Sequence, residues 1–285
     1  MGIAVKKVSN HLSQVRLKGK LGDKQKYLLI SDIHYDSKYC DRKLLQKHLD
    51  KAKEEDRLII INGDWFDVMG CHKDPRSKAQ DVRPEYYSKR SYLDLIVEDS
   101  YNFLKEYANN ILLIGYGNHE SAIIKHRDTD ILERLHFLLS QHNKEIVLGA
   151  YEGWINFVFE HSGGGRARTK MLHYHHGNGG GAMRSKGILR NQIDSFVYPQ
   201  ADIIIRGHDH QKSHDPSNVK KFIKQNGEQV LKVCHVIRTG SYKDTSNKQF
   251  GFEVEKAFIP TKMGGWFMDL IYVPNGIDIK VFEAD

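Results

Sequence analysis

Five short clusters of acid, amide and imidazole side chains stand out in the chain. They are Asp32-Ile33-His34, Gly63-Asp64-Trp65-Phe66-Asp67, Gly117-Asn118-His119-Glu120, His175-His176-Gly177 and Gly207-His208-Asp209-His210. Carboxylate, amide oxygen and neutral imidazole each offer a lone pair to a cation. A mixed oxygen and nitrogen set suits Mn, Fe, Zn, Co or Ni better than Ca or Mg. Any one cluster alone reads as a surface turn, a cap or a strand end. Five of them, each following an apolar run, read as a metal constellation. No thiolate is needed for it. The three cysteines, Cys40, Cys71 and Cys234, are widely separated and form no CxxC pair. Neither a disulfide framework nor a zinc–thiolate cluster is expected, and a reducing compartment follows.

The elements that must position these side chains are visible as changes of period. Short apolar runs at 27–30, 58–61, 111–114, 146–148, 154–159, 170–174 and 202–205 read as strands, as do 231–237, 266–273 and 277–282. Pro274-Asn275-Gly276 joins the last two as a hairpin. Helical stripes lie between the early runs: Leu44, Leu45, His48, Leu49 and Ala52; then Tyr92, Leu95, Ile96, Phe103 and Tyr107; then Ile131, Leu132, Leu135, Leu138 and Leu139, after an Asp128-Thr129-Asp130 cap signal. A helix-and-strand first half followed by a strand-rich second half predicts a layered α/β protein around two sheets. In open α/β sheets ligands gather beyond the carboxyl ends of strands, which is where all five clusters fall.

With 40% hydrophobic and 28% charged residues the chain is neither disordered nor collagen-like, and its 285 residues can bury a sizeable core. No run reaches the roughly 18 apolar residues of a membrane span, and 1–10 holds no secretory signal, so a cytoplasmic, membrane-free protein is expected. Forty-three Lys and Arg against 36 Asp and Glu leave +7, which suits an anionic substrate without naming one. Two stretches read as solvated insertions in a single domain over 1–285. One is the basic segment at about 69–90, with Lys73, Arg76, Lys78, Arg83, Lys89 and Arg90; the other is the Lys-rich excursion at about 214–262.

The order D-x-H, G-D-x-x-D, G-N-H-E, H-G, G-H-x-H resembles the calcineurin-like metallophosphoesterase superfamily, over about 32–210. The resemblance implies a four-layer α/β fold, a two-sheet β-sandwich flanked by helices, with two divalent transition-metal ions at one edge, manganese foremost. It implies that Asp32, His34 and His210 hold one metal, and that Asn118, His208 and one of His175 or His176 hold the other, with Asp64 bridging. Neighbouring side chains on a strand point to opposite faces, so one of the two histidines reaches the metals; the family's habit of placing this ligand before a glycine favours His176. His173 reads as a packing residue. The implied reaction is in-line attack on phosphorus by a hydroxide held between the metals, with His119 as general acid. Asp67 is implied as the carboxylate that orients and charges that imidazole.

The substrate is less constrained. Protein phosphatases of the superfamily carry an arginine after G-D-x-x-D and another before G-N-H-E, where this chain has Val68 and Tyr116. The tyrosinate ligand of purple acid phosphatases is missing too, since Trp65 and Phe66 stand in its region. The remaining resemblance is to phosphodiesterases and nucleases, uncharacterised phage-encoded members among them. Phosphodiester cleavage in nucleotides or nucleic acid is therefore expected, with a phosphomonoesterase as the alternative. A non-catalytic scaffold is the alternative of another class, disfavoured because it has no need of the full ligand and acid set. Arg238 and Ser241, and the Gly177, Gly179, Gly180, Gly181 run with Arg184 and Lys186, are candidates for phosphate contact; ordinary turns are the competing reading.

Overall fold

The apolar runs assemble into two sheets, and their sequence order explains which side chains end up where. The computed structural model describes residues 2–68, 81–86, 91–178, 188–244 and 261–285. Most of the 69–90 insertion lies outside these residues. So do Gly179, Gly180, Gly181, Arg184 and Lys186, and the 245–260 part of the second insertion. The strands are β1 (Gly2–Lys7), β2 (Leu12–Gly19), β3 (Lys24–Ile30), β4 (Leu58–Asn62), β5 (Ile111–Gly115), β6 (Val147–Leu148), β7 (Glu152–His161), β8 (Arg168–His175), β9 (Ile203–Arg206), β10 (Lys212–Ile223), β11 (Gln229–Thr239), β12 (Trp266–Val273) and β13 (Gly276–Glu283). The α-helices are α1 (Arg42–Glu54), α2 (Tyr92–Leu104), α3 (Asn118–Arg127), α4 (Ile131–Ser140) and α5 (Ile188–Val197).

One sheet runs β13-β12-β3-β4-β5-β6 and the other β1-β2-β7-β8-β9-β11-β10. In the first, β3 to β6 are mutually parallel, with α1, α2 and α4 in the crossovers. Alternate residues of these strands feed two different cores. Tyr27, Leu29 and Ile60 pack inward against Phe157, Leu172 and Ile205 of the second sheet. Leu28, Ile30, Ile59 and Ile61 pack outward beneath Leu45, Leu49, Ile96 and Leu135 of the helices. Burial on both faces is why the strands read as unbroken apolar runs. The Asp130 cap is present, its side chain accepting from Glu133 N at 2.9 Å.

The second insertion does not begin as the solvated loop expected of it. Residues 212–223 form β10, paired antiparallel with β11 at the edge of the seven-stranded sheet, with a register shift between Asp215 and Asn218 around Pro216. Its polar, Lys-bearing sequence is that of an exposed edge strand, where proline and charge deter further pairing. Backbone pairing to β11, rather than apolar burial, makes it a strand. The amino-terminal β1 and β2 extend the opposite side of the same sheet. No helix among the described residues is long and apolar enough to cross a membrane.

Candidate metal centre

All five chemical clusters leave the carboxyl ends of strands: β3, β4 and β5 from one sheet, β8 and β9 from the other. At this rim the backbone is forced. Asp32, His34, Asp64, His208 and His210 all have φ between 50° and 73°, a left-handed conformation that costs a non-glycine residue about 1 kcal/mol or more. Five such residues on one rim are held there by their surroundings. The glycines of the motifs make the space. A Cβ on Gly63 (φ 86°) would stand 2.6 Å from His176 Nδ1, and one on Gly207 would stand 2.7 Å from Asp32 Oδ2. Neither position tolerates a side chain while His176 and Asp32 keep their places.

Two groups of donors converge there. His34 Nε2 and His210 Nε2 lie 3.2 Å apart, with Asp32 Oδ1 3.5 Å from His210 Nε2. Beside them, Asn118 Oδ1 lies 2.7 Å from His208 Nδ1 and 3.2 Å from His176 Nε2, and Asp64 Oδ2 is 3.1 Å from His176 Nε2. Asp32, His34 and His210 form one close-set group of potential ligand atoms; Asp64, His176 and His208 form another. His175 stands outside both. Its Nδ1 accepts from Gly177 N at 2.8 Å and its Nε2 faces Glu152 at 3.7 Å.

The donor chemistry fits divalent cations. Asp32 and Asp64 are buried, and both face His176 Nε2, at 4.0 and 3.1 Å. Burial raises the Asp32 carboxyl; burial also works to raise Asp64, but His176 and His119 outweigh it and hold it well below the usual range. His176 Nδ1 lies 2.8 Å from the carbonyl of Asn62, so the proton there is donated and Nε2 turns its lone pair toward the Asp64 and Asn118 oxygens. Lone pairs facing one another repel unless a cation lies between. In the metal-free protein a proton can take that place. Burial opposes the charged ring, yet Asp64 and Asp32 prevail and raise His176 to about 10. His34 presents its Nδ1 to Asp67 Oδ1 at 2.9 Å, the arrangement by which a carboxylate orients a metal-binding imidazole.

A family model for calcineurin-like phosphoesterases matches residues 25–212, the span that holds every one of these donors. The chain belongs to the calcineurin-like phosphoesterase family. Members act with divalent metal ions as hydrolases of phosphate esters, and the substrate of this phosphoesterase is accordingly a phosphate ester. The search of curated proteins finds no match. Among solved structures it is similar to a conserved uncharacterised protein, a predicted phosphoesterase, from Streptococcus pneumoniae TIGR4 (12% identity over 92% of this chain and 91% of that one, TM-score 0.34). Others are the calcineurin-like phosphoesterase YfkN from Bacillus subtilis (11%, 92% and 91%, 0.35) and Vps29 complexed with zinc from Entamoeba histolytica (11%, 92% and 100%, 0.32).

In this phosphoesterase the expected Asp67–His119 dyad takes a different form. His119 Nδ1 hydrogen-bonds the backbone carbonyl of Asp67 at 2.6 Å. The Asp67 carboxylate instead faces His34 and Lys243, whose Nζ is 2.6 Å from Oδ1. Burial opposes the charge on Asp67, but Lys243 and then His34 hold its carboxyl below the ordinary range. The left-handed turn at Val68 and the two bonds that Asp36 accepts from Asp67 N (2.6 Å) and Val68 N (2.9 Å) direct the carbonyl and carboxylate to different partners.

Three residues of the rim carry no role in the motif reading. Glu120 is buried and accepts from the backbone N–H of Asp64, Phe66 and Gly117 at 2.8–3.1 Å, locking the second and third clusters together. Burial and then Asp64 raise it to about 7. Asp36 also accepts from the Tyr92 hydroxyl. Lys243 follows the Arg238–Tyr242 segment, whose Tyr242 N and Ser241 Oγ bond the Asp32 carbonyl at 3.1 and 2.8 Å. The D-x-H-x-D spacing and the E of G-N-H-E are visible in sequence as acids near ligands. Lys243 has no local signal at all, being 33 residues beyond the last cluster.

Proposed function

We propose that this phosphoesterase cleaves phosphodiesters of nucleotides or nucleic acid, with Asp32, His34 and His210 holding one divalent ion, Asn118, His176 and His208 a second, and Asp64 between them. When bound, such ions supply positive charge to phosphoryl oxygens and a lowered pKa to coordinated water. Mn is the ion we put first, on the mixed Asp, Asn and His donor set.

The chain's own groups supply the remainder. His119 is 9% exposed, and the Asp67 carbonyl fixes its Nδ1, which leaves Nε2 facing the ligand cluster 3.8 Å from Asp64 Oδ2. A protonated His119 held this way can give its Nε2 proton to a departing alkoxide. Its own backbone N–H donates to Asp64 Oδ1 at 3.0 Å, so the acid and the proposed bridging carboxylate move as one unit. Asp67 and Lys243 orient His34.

The observation that carries the diester reading is that, among the described residues, the two motif-flanking positions where a phosphate-clamping arginine would stand offer no cation to a dianionic monoester. Val68 is a buried aliphatic residue, and the Tyr116 hydroxyl is spent on Asp130 at 2.5 Å. Lys243 is bound by Asp67. A diester carries one charge less than a monoester dianion and asks correspondingly less of its site. The test is steady-state hydrolysis by the Mn-reconstituted protein of bis-p-nitrophenyl phosphate against p-nitrophenyl phosphate. A kcat/KM for the diester above that for the monoester is expected; turnover of the monoester alone overturns the substrate class.

A further inference from the structure

A small cleft that His208 itself helps to line is also lined by Gly177, Asn178, Gly207, Asp209 and the three arginines Arg190, Arg206 and Arg238. We infer that this arginine cleft binds a second phosphate group of the substrate, next to the one hydrolysed at the metal centre. The substrate class is thus a diester flanked by a further phosphate, as in an oligonucleotide or an end-phosphorylated dinucleotide. The choice of a nucleotide diester rests on the function proposed above; the anion site rests on the cleft itself.

The arginines are built in. The Arg206 and Arg238 side chains are 4% and 5% exposed. Arg206 Nε is held by Asp194 at 2.8 Å, and its guanidinium lies over the Tyr198 ring at 5.5 Å. Its Nη2 is buried with no hydrogen-bond partner among the described residues, and a buried cationic donor in that condition is costly until something accepts from it. Arg238 is aimed by Asn191 Oδ1, 3.0 Å from Nε, and paired with Asp209. Arg190, half exposed at the mouth, shares Asp194 at 2.9 Å. Two carboxylates against three guanidinium groups leave a net positive charge. The planar N–H fork of arginine matches the oxygens of a phosphate, and Gly177 and Gly207 let an anion approach the backbone.

Helix α5 is organised around this task. A helix packed on a sheet ordinarily turns its apolar stripe inward. Here Asn191, Asp194 and Ser195 are buried while Leu189, Ile193 and Phe196 are exposed. The buried polar face is the one that grips Arg206 and Arg238. Such a face has no packing advantage, and what it accomplishes is to fix two guanidinium groups beside a metal-ligand candidate.

Two measurements test the inference on the full chain, with wild type, Arg190→Gln and Arg206→Gln. The first is the preference ratio: kcat/KM for a thymidine dinucleotide carrying an additional 5′ or 3′ phosphate, divided by kcat/KM for the bare dinucleotide, with Mn. Wild type is expected to favour the phosphorylated dinucleotide, and each variant to lose about tenfold of that preference, the loss of one charge-assisted hydrogen bond. A purely structural role slows both substrates alike and leaves the ratio where it was. The second is binding of inorganic phosphate to the metal-free protein by calorimetry, weakened to a similar extent in both variants. Arg190 is exposed, so its variant carries the test if Arg206→Gln does not fold. Ratio and phosphate affinity both unchanged in Arg190→Gln overturn the inference. If neither dinucleotide is cleaved while the variants still weaken phosphate binding, the nucleotide-diester reading falls and the anion cleft stands.

Discussion

The two sheets meet at one rim but contribute differently to it. The six-stranded sheet supplies Asp32, His34, Asp64, Asn118 and His119, all of the proposed oxygen donors and the proposed acid. Its loops are clamped from behind by two buried acids, Glu120 and Asp36, which between them accept from five backbone N–H groups. The seven-stranded sheet supplies His176, His208 and His210, all imidazole. It is tied to the first sheet where His208 N donates to the Asp32 carboxylate at 2.9 Å, and internally where Gly207 N donates to the His176 carbonyl at 2.8 Å. His210 is 22% exposed where Asp32 is sealed. One side is braced by buried acids; the other, apart from the buried His176, is partly exposed and leads to the arginine cleft. The difference suggests a division of labour: charge and acid are positioned by the rigid side, and the substrate is admitted and measured by the open one.

The strongest way to break this division is at Asp64, where the two donor groups join. Asp64→Ala is expected to lower metal content, measured by atomic emission, and to cut kcat roughly a thousandfold, the scale of several kcal/mol of lost charge stabilisation. Retention of both metals with a rate near wild type refutes the bridging role. Next comes the acid. His119→Ala should keep its metals and lose about 100-fold or more in kcat on a diester with an alkoxide leaving group. It should lose less on bis-p-nitrophenyl phosphate, whose leaving group needs no proton. Equal losses on the two substrates remove His119 from proton transfer.

The bracing is tested through stability. Glu120→Ala leaves three buried N–H groups without an acceptor and should cost about 3 kcal/mol or more in urea unfolding, while Glu120→Gln, which keeps an acceptor oxygen, should cost less. Identical costs deny the clamp. Lys243→Met should lower kcat by about tenfold by loosening the Asp67–His34 pair, within the range of lost outer-shell support. An unchanged rate makes Lys243 merely structural.

The smallest effect is one of protons. In the metal-free protein His176, raised to about 10, is protonated at pH 7.5, so metal binding at its Nε2 must release a proton and affinity must rise with pH. Calorimetry in buffers of different ionisation enthalpy reads the release directly. Because the folded value exceeds the ordinary 6.5, this ring stabilises the metal-free fold fully below pH 6.5, and the contribution is lost as pH rises through 10. A metal-free protein whose stability does not fall across that window contradicts the carboxylate cage around His176.

Which parts of this were legible beforehand follows from what periodicity reports. The central strands β3, β4 and β5 and helices α1, α2 and α4 bury apolar side chains, and their repeats announce them. Helix α3 has no apolar stripe, because it exists to present Asn118 and His119 at its start. Helix α5 is inverted, with polar residues inward, so a search for an apolar face passes over it. Strand β10 is mostly polar, leaves its Val219, Phe222 and Ile223 exposed, and is held by pairing to β11. Strand β2 did carry a signal, since Ser13, Val15, Leu17 and Gly19 alternate into the interior with period two.

By itself the sequence determined the chemical types at the rim and the strands that end there: acid, amide and imidazole donors, and a histidine proposed as general acid beside a proposed ligand. Those are local properties, set by residue type and by the nearest apolar run. Tertiary structure alone decided that His176 rather than His175 faces the cluster, and that Asp67 gives its carbonyl to His119 and its carboxylate to His34 and Lys243. It also brought Arg190, Arg206 and Arg238 to one cleft. Each of these depends on closing loops between segments far apart in the chain, and a polar contact made by loop closure leaves no repeat for a sequence to display.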